Sequence, residues 1–206
     1  MNDKTGNRTI IHVIDDDAAM RDSLAFLLDV NGFGPRVYES ADAFLGGVDL
    51  ASLACVISDI RMPGMNGIEL VRKLKGGGSS CPVILITGHG DVVLAVEAMK
   101  AGAADFIEKP FDDAALLGAI RAALEARPVA LGDNAAKKEA EAQLAELSPR
   151  ERDVLQGLVA GKINKVIAHE LAISPRTVEV YRANLMAKTG ARSMSELMRI
   201  ALAAGM

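Results

Sequence analysis

The stretch TIIHVIDDD at residues 9–17 decides the fold, because an apolar run of strand length stops at three consecutive aspartates and a helical pattern follows at once. The same alternation recurs along the first half of the chain. It predicts five strands, at Thr9–Ile14, Gly34–Tyr38, Leu53–Ser58, Pro82–Thr87 and Asp105–Glu108. The predicted helices are Ala18–Val30, Ser40–Leu45, Gly67–Lys75, Val92–Ala101 and Asp112–Arg127. Five such units in succession indicate an α/β fold, a parallel sheet with helices on both faces.

From Ser148 onward the pattern is helical throughout. SPRE at residues 148–151 combines a Ser N-cap, a Pro at the first helical position and a Glu that closes a capping box. Four short helices are predicted, from Pro149 to about Ala160, over Asn164–Leu171, from Pro175 to near Gly190 and after Ser193. The segment 148–206 is therefore expected to be a separate, all-α domain.

A joint at residues 128–147 separates the two halves. Pro128 should end the fifth helix, and residues 131–134 break the helical pattern. Ala135–Leu147 is rich in strong helix formers, which favours a helical linker. A flexible charged spacer is the alternative, since isolated helices of this length are marginal in water.

The net charge of -4 conceals an asymmetry between the halves. Residues 1–128 carry 12 Lys and Arg against 18 Asp and Glu, a net of -6, whereas residues 148–206 carry 9 against 5, a net of +4. A basic second domain is expected to work near an anion such as nucleic acid. Aromatic residues make up only 3% of the chain, which argues against stacking on single-stranded nucleic acid.

The cysteines and the apolar runs indicate the compartment. Cys55 and Cys81 lie inside apolar runs and are expected to be core thiols, not a disulfide or a metal site. No run reaches the roughly 18 apolar residues that a membrane span needs. Met1–Thr9 is polar, unlike a signal peptide. We therefore expect a cytoplasmic protein with no membrane partner.

Polar groups stand at the ends of four predicted strands: Asp15 and Asp16, Asp59, Thr87, and Lys109. The carboxyl ends of parallel strands share one edge, so these groups should converge. Clustered carboxylates resist ionisation unless a cation such as Mg²⁺ neutralises them. Taken singly, each residue could be an ordinary turn or cap residue. Together they suit phosphoryl transfer to a carboxylate, which depends on positioning and charge neutralisation.

Four segments, VIDDD (13–17), DIRMPGMNG (59–67), ITGHGD (86–91) and AADFIEKPF (103–111), resemble the receiver domain of bacterial response regulators. The resemblance covers residues 9–127 and implies a flavodoxin-like receiver over 1–127. It implies that Asp59 accepts a phosphoryl group from a sensor histidine kinase. The residues implied to hold Mg²⁺ are Asp15, Asp16, Asp59 and, through its backbone carbonyl, Arg61. Lys109 would contact the phosphate, and Pro110 would follow a cis peptide bond.

The receiver resemblance also implies a switch made of Thr87 and Phe106. The Thr87 hydroxyl would move toward the phosphoryl oxygens, and Phe106 would rotate into the space that it leaves. This would repack the face formed by Val92–Ala101 and Asp105–Glu108. Plain core packing is the alternative role of Phe106.

The predicted helix that begins at Pro175 has two unlike faces. Val178, Tyr181 and Leu185 share one of them, and small or polar residues occupy the other. With Asn164–Leu171 and the intervening turn it would form a helix-turn-helix, whose second helix enters the major groove of DNA. The candidate DNA-contacting residues are Lys162, Asn164, Lys165, Arg176, Thr177, Glu179, Val180, Arg182, Ala183, Asn184 and Lys188. A helical bundle with a solvated polar face is the alternative.

Segments LSPRERDVL (147–155), GKINKVIA (161–168), LAISPRTVEV (171–180) and NLMAKTGA (184–191) resemble the LuxR-type helix-turn-helix, over about 143–206. Two residues depart from the family pattern, Tyr181 in place of His and Glu179 in place of Lys. Glu179 raises the prospect of an acceptor for a cytosine amino group.

The order of receiver, linker and LuxR-type domain resembles the NarL/FixJ class of response regulators. MKAGAADFIEKPF (99–111) and ISPRTVEV (173–180) are similar to its FixJ branch, which implies a kinase of the FixL type and nitrogen-fixation or low-oxygen genes. The expected protein is a non-enzymatic activator, apart from slow self-dephosphorylation. Once phosphorylated on Asp59, it would dimerise through the fourth-helix and fifth-strand face, bind double-stranded promoter DNA and act with RNA polymerase.

Two other functions stay open at the level of sequence. One is an enzyme that passes through an aspartyl phosphate. It is disfavoured because no domain or long insertion suited to bind a substrate is evident, and because the acids lie at different strand ends instead of in one D-x-D loop. The other is a constitutive DNA-binding protein whose receiver serves only in protein interaction. It is disfavoured because all the phosphorylation residues are present.

Overall fold

The computed structural model describes residues 8–88, 92–125, 134–191 and 193–206, with no account of the side chains of residues 51, 92–93 and 134–136. The chain divides into two compact units. The first comprises the described residues up to 88 and residues 101–125, and the second comprises residues 92–100 and the described residues from 134 onward.

The first unit is built on a five-stranded parallel sheet, as the sequence predicts. Its strands are β1 (Ile10–Ile14), β2 (Gly34–Tyr38), β3 (Cys55–Asp59), β4 (Val83–Thr87) and β5 (Asp105–Glu108). The order in the sheet is β2-β1-β3-β4-β5, with every neighbouring pair parallel. Strands β3 and β4 are buried along their whole length, which explains their continuous apolar sequence.

Helices accompany the strands as predicted, within a residue or two at their ends. They are α1 (Ala18–Val30), α2 (Ala41–Gly47), α3 (Gly67–Gly76), α4 (Val92–Ala101) and α5 (Asp113–Glu125). Leu24 and Leu28 of α1 and Leu116 and Ile120 of α5 belong to one buried cluster with alternate residues of the central strands. On the other face of the sheet, His12 of β1 stacks on Tyr38 and meets the ring of Phe44 in α2 edge-on.

The two cysteines are buried free thiols, as expected. Burial raises the pKa of Cys55 to about 12 and the pKa of Cys81 to about 11, so both stay protonated at neutral pH. Across the part of the chain that the structure describes, no helix has the length and apolar character needed to cross a membrane.

The predicted joint contains a helix, α6 (Asn134–Ala145). The break predicted at residues 131–134 does not extend to Asn134, which is the first residue of this helix, while residues 131–133 and the predicted stop at Pro128 lie outside the described residues. Helix α6 packs against α10 and α9 and buries Ala140 and Leu144. It is therefore a packed element of the second unit.

The other helices of the second unit are α7 (Pro149–Val159), α8 (Asn164–Glu170), α9 (Pro175–Thr189) and α10 (Met194–Ala203). Ser148 and Glu151 form the predicted capping box of α7. Ser174 caps α9, which ends at Gly190 in the left-handed conformation (φ 72°). These local signals explain why sequence alone locates the four helices.

Candidate phosphoryl-acceptor site and nucleic-acid interface

The carboxyl ends of β1, β3, β4 and β5 form the rim on which the predicted acidic site lies. Asp59, the last residue of β3, is paired with Ile86, and Thr87 at the end of β4 is paired with Glu108. Strand order reverses between β1 and β3, because β2 lies outside β1. Ligands of open α/β sheets bind at such a reversal.

Lys109 joins two of the predicted acidic residues. Its Nζ lies 2.6 Å from Oδ1 of Asp59 and 3.2 Å from Oδ2 of Asp15. Both carboxylates are buried, with Asp15 2% and Asp59 7% exposed. Two carboxylate oxygens on different strands thus converge on one cation, as the strand-end pattern predicts.

Burial and neighbouring charges have opposite effects on the pKa values of Asp15 and Lys109. Burial raises the pKa of Asp15, although the Asp17 amide and Lys109 favour its ionised form. For Lys109, burial works to lower the pKa, but its hydrogen bond to Asp59 and its attraction to Asp59 and Asp15 outweigh that and raise it. The ammonium therefore stays charged and neutralises the pocket.

Asp16 does not join the other two acids. It is exposed, and among the residues described no three acidic, histidine or cysteine side chains converge as a metal-binding group. The Arg61 amide donates a hydrogen bond to Oδ2 of Asp59, which fixes the loop that would present the Arg61 carbonyl. The oxygen donors of Asp15 and Asp59 fit Mg²⁺, which typically binds through one or two carboxylates and keeps several waters.

Thr87 and Phe106, the two residues of the switch hypothesis, lie on the neighbouring strands β4 and β5. Thr87 is 2% exposed, and its hydroxyl donates a hydrogen bond to the Gly88 carbonyl over 3.4 Å. Phe106 lies on the neighbouring strand β5, paired with Leu85, and is partly exposed. The Lys109–Pro110 peptide bond is cis, as the receiver resemblance implies.

Two residues that sequence reasoning did not single out hold the β1–α1 loop. The Arg21 guanidinium donates a hydrogen bond to the Asp15 carbonyl (2.7 Å). The Asp17 amide donates to Oδ1 of Asp15 (2.8 Å), while the Asp17 carboxylate caps α1 at the Ala19 amide (2.8 Å). An Asp directly before a helix is a recognisable N-cap, so Asp17 had a sequence signal, whereas Arg21 had none.

Gly67 is the other position that sequence reasoning did not assign. A Cβ there would collide with the Asp59 carbonyl and lie 3.0 Å from the Ile60 Cα and from Cδ2 of Leu85. The first turn of α3 thus approaches the backbone of Asp59 more closely than any side chain at position 67 allows.

Gly67→Ala is expected to displace the Asp59 backbone and to cost about 1–3 kcal/mol of stability in the first unit. Slower modification of Asp59 by a small-molecule phosphodonor should accompany the loss. Thermal unfolding and intact-mass measurement would test this. Gly76→Ala is the matched control, since it lies on the same helix with open space around its Cβ position. Equal behaviour of the two variants would contradict the expectation.

The second unit presents an exposed face on α9. Val178 and Leu185 are fully buried beneath it, and Tyr181 is half-buried, as the predicted division of the helix requires. The exposed residues of the helix include Arg176, Glu179, Val180, Ala183, Asn184 and Ala187. Val180 on this face is 55% exposed, so its side chain is accessible for contact.

The candidate phosphate-binding residues differ in what they contact. Lys162 binds both carboxylate oxygens of Glu170, and Arg182 donates a hydrogen bond to Oδ1 of Asn164 (3.3 Å). Lys165 is exposed. Lys188 has a side chain that is 39% exposed, and its ammonium lies 2.7 Å from the buried carboxylate of Glu151.

The Lys188–Glu151 pair ties α9 to the start of α7. Glu151 is 3% exposed and also accepts hydrogen bonds from the amide and hydroxyl of Ser148. The hydrogen bond from Lys188, with those from Ser148, lowers the pKa of Glu151 to about 2. The pair thus has a structural role that a count of basic residues on one helix does not indicate.

Two protein-family models match the chain. The response regulator receiver domain model matches residues 11–121, and the model of bacterial regulatory proteins of the luxR family matches residues 145–201. Helix α6 lies almost wholly between the two matches.

Several curated proteins are similar over nearly the whole chain. The transcriptional regulatory protein FixJ of Bradyrhizobium diazoefficiens is 55% identical, covering 95% of this chain and 96% of its own length. FixJ of Rhizobium meliloti is 50% identical with the same coverages. The response regulator protein TodT of Pseudomonas putida is 41% identical, over 93% of this chain and 85% of its own.

Solved structures of FixJ are also similar to this chain. Full-length FixJ from B. japonicum is 53% identical, with a TM-score of 0.51, and covers 97% of this chain and 98% of its own. The structure of FIXJ-N is 47% identical with a TM-score of 0.55, and covers 59% of this chain and 97% of its own.

Proposed function

We propose a function on the premise that the chain belongs to the NarL/FixJ class of two-component response regulators, which join a receiver domain to a LuxR-type DNA-binding domain. A sensor histidine kinase transfers a phosphoryl group to Asp59. The phosphorylated protein then dimerises and binds double-stranded promoter DNA, where it activates transcription. The observation that carries this proposal is the single cation of Lys109 held between Asp15 and Asp59.

The transfer uses the Asp59 carboxylate as the nucleophile. One of its oxygens forms the new bond to phosphorus as the bond between phosphorus and the kinase histidine breaks. Charge on the phosphoryl oxygens develops beside Lys109, which is already charged and within reach of Asp59. Asp15, Asp16, Asp59 and the Arg61 carbonyl are the proposed holders of Mg²⁺, whose contribution when bound is to neutralise charge on the phosphoryl group.

Phosphorylation is read out by Thr87, Phe106 and Lys109. The new phosphoryl oxygens compete with the Gly88 carbonyl for the Thr87 hydroxyl, whose present hydrogen bond is long at 3.4 Å. Movement of that hydroxyl leaves room for the partly exposed Phe106 ring to turn inward. The repacked face of the fourth helix and fifth strand is the proposed dimer surface.

The exposed face of α9 is the proposed reader of the major groove, with α8 as the other helix of the motif. Direct base contacts are assigned to Thr177, Glu179, Val180, Ala183 and Asn184. Arg176, Arg182, Lys162, Lys165 and Asn164 are assigned to the sugar-phosphate backbone. Lys188, the remaining candidate, is assigned an indirect contribution, because its ammonium binds the buried carboxylate of Glu151.

The proposed partners and target genes are based on the relatives that share both domains with this chain. Because proteins named FixJ match nearly end to end, the proposed partners are a FixL-type sensor kinase and RNA polymerase, and the proposed targets are nitrogen-fixation or low-oxygen genes. A relative named for another process, the C4-dicarboxylate transport transcriptional regulatory protein DctR of Rhodobacter capsulatus, is less similar at 41% identity.

The test is sedimentation and DNA binding of the full chain with Mg²⁺, before and after treatment with a small acyl phosphate. We expect a shift from monomer to dimer and tighter binding to promoter duplexes. DNA binding that is unchanged by complete phosphorylation would favour the constitutive DNA-binding protein. Absence of DNA binding in both states would refute the proposed function itself.

A further inference from the structure

The Lys162 ammonium contacts both carboxylate oxygens of Glu170 at the edge of the helix-turn-helix. The Lys162 ammonium, in the turn after α7, lies 2.8 Å from Oε1 and 2.7 Å from Oε2 of Glu170. Both side chains are partly open to solvent, at 38% and 45% exposure. The contact therefore stands where an external anion has access to the same ammonium.

The position of Glu170 within α8 is electrostatically unfavourable. Glu170 is the last residue of α8, next to the partial negative charge that backbone carbonyls place at a helix C-terminus. A carboxylate is disfavoured there, whereas a basic residue would be favoured. The structure gives it a favourable partner in Lys162, which lies outside the helix.

Lys162 directly precedes the elements that face DNA in the proposed function. Ile163, which follows it, is 44% exposed, and Lys165 is exposed on the first turn of α8. A DNA phosphate that approached the start of α8 would thus meet an ammonium already engaged by a carboxylate. The Glu170 carboxylate would repel that phosphate and would share the attraction of the ammonium with it.

We propose that Glu170 is an intramolecular competitor of the DNA backbone: it holds Lys162 in the unbound protein and is displaced when a phosphate binds there. The proposal rests on the proposed DNA-binding function and adds a residue that limits its affinity. The competition acts through a phosphate contact and touches no base-reading side chain. Glu170 therefore weakens binding to all sequences by the same factor.

The effect is modest, because exposed ion pairs contribute little in water. Removing the competitor should tighten binding about two- to fivefold. Removing Lys162 itself should weaken binding and reduce the slope of log affinity against log salt by about 0.9, the value for one phosphate contact.

The experiment measures binding of the full chain to a mixed-sequence duplex and to a promoter duplex over a series of salt concentrations. The variants are Glu170→Gln, Lys162→Gln and the double variant. Glu139→Gln is the matched control, because it removes the same charge from an exposed site on α6. Circular dichroism of each protein confirms that the fold is intact.

We expect Glu170→Gln to bind both duplexes more tightly, with an unchanged ratio between the two affinities. In the Lys162→Gln background, Glu170→Gln should give no increase in affinity. The proposal would be overturned if Glu139→Gln increased the affinity equally, or if Glu170→Gln increased it fully in the Lys162→Gln background. Either result would attribute the increase in affinity to the change in net charge. Failure of the wild-type chain to bind either duplex would instead refute the DNA-binding function.

Discussion

Asp59→Asn is expected to abolish phosphorylation of the chain by a small acyl phosphate, and with it any gain in dimerisation and DNA affinity. An amide oxygen is too weak a nucleophile to form the phosphoryl bond. The substitution also removes the negative charge that Lys109 holds at 2.6 Å. Affinity for DNA in the absence of phosphodonor should not change, since the candidate DNA-contacting residues belong to the second unit.

Intact-mass spectrometry and DNA titration with Mg²⁺ would measure both parts of this prediction. Asp22→Asn is the control, because it removes one carboxylate from the exposed face of α1 and should be modified like the wild type. A stable phosphoryl adduct on Asp59→Asn would place the acceptor elsewhere, with Asp15 and Asp16 the first residues to examine.

Lys188→Met is expected to destabilise the second unit by about 1–3 kcal/mol, after allowance for the solvent exposure of Lys188. The lysine is 39% exposed, but its partner Glu151 is 4% exposed in its side chain. Removing the ammonium leaves a buried carboxylate that keeps only the Ser148 hydrogen bonds. A direct DNA contact by Lys188 would predict weaker binding with unchanged stability.

The pH dependence of this effect has a definite sign. The pKa of Glu151 is lowered from 4.5 to about 2 by folding. The ion pair therefore stabilises the fold fully above the ordinary carboxyl range, and its contribution declines as pH falls from there toward 2. The difference between wild type and Lys188→Met should accordingly be largest near neutral pH and shrink in acid.

Hydrogen exchange of the α7–α10 amides would report the stability of this unit without interference from the first. Glu151→Gln combined with Lys188→Met should recover much of the loss, because neither partner is then charged and buried. Lys138→Met, on the exposed face of α6, is the control for loss of a lysine. Unchanged exchange at neutral pH in Lys188→Met would show that the pair contributes nothing.

The sequence predicted the sheet well because its signals are local. Strands such as Val83–Thr87 are continuous apolar runs, and helices such as α7 begin at recognisable caps. The meeting of Asp15, Asp59 and Lys109 followed from the geometry of parallel strand ends alone. The Mg²⁺ role of Asp16 stays a prediction, since a strand-end pattern does not say whether the next residue points inward or to solvent.

The partners of the basic residues could not be predicted in the same way. Lys188 and Glu151 are 37 residues apart, and Lys162 reaches across a turn to Glu170. Their pairing depends on how the helices pack, which no periodicity encodes. The sequence likewise predicts Gly67 only as the first residue of a helix, because its close approach to the Asp59 backbone depends on packing.

The packing of α6 has a consequence for chimeric regulators. Arg152 of α7 donates hydrogen bonds to the carbonyls of Leu144, Ala145 and Leu147, and Leu144 itself is buried. A fusion seam at Ser148, where the helix-turn-helix begins in sequence, would remove these acceptors and uncover the apolar contact. A foreign N-terminal domain should therefore be fused before Asn134, so that the DNA-binding domain keeps the packing of α6.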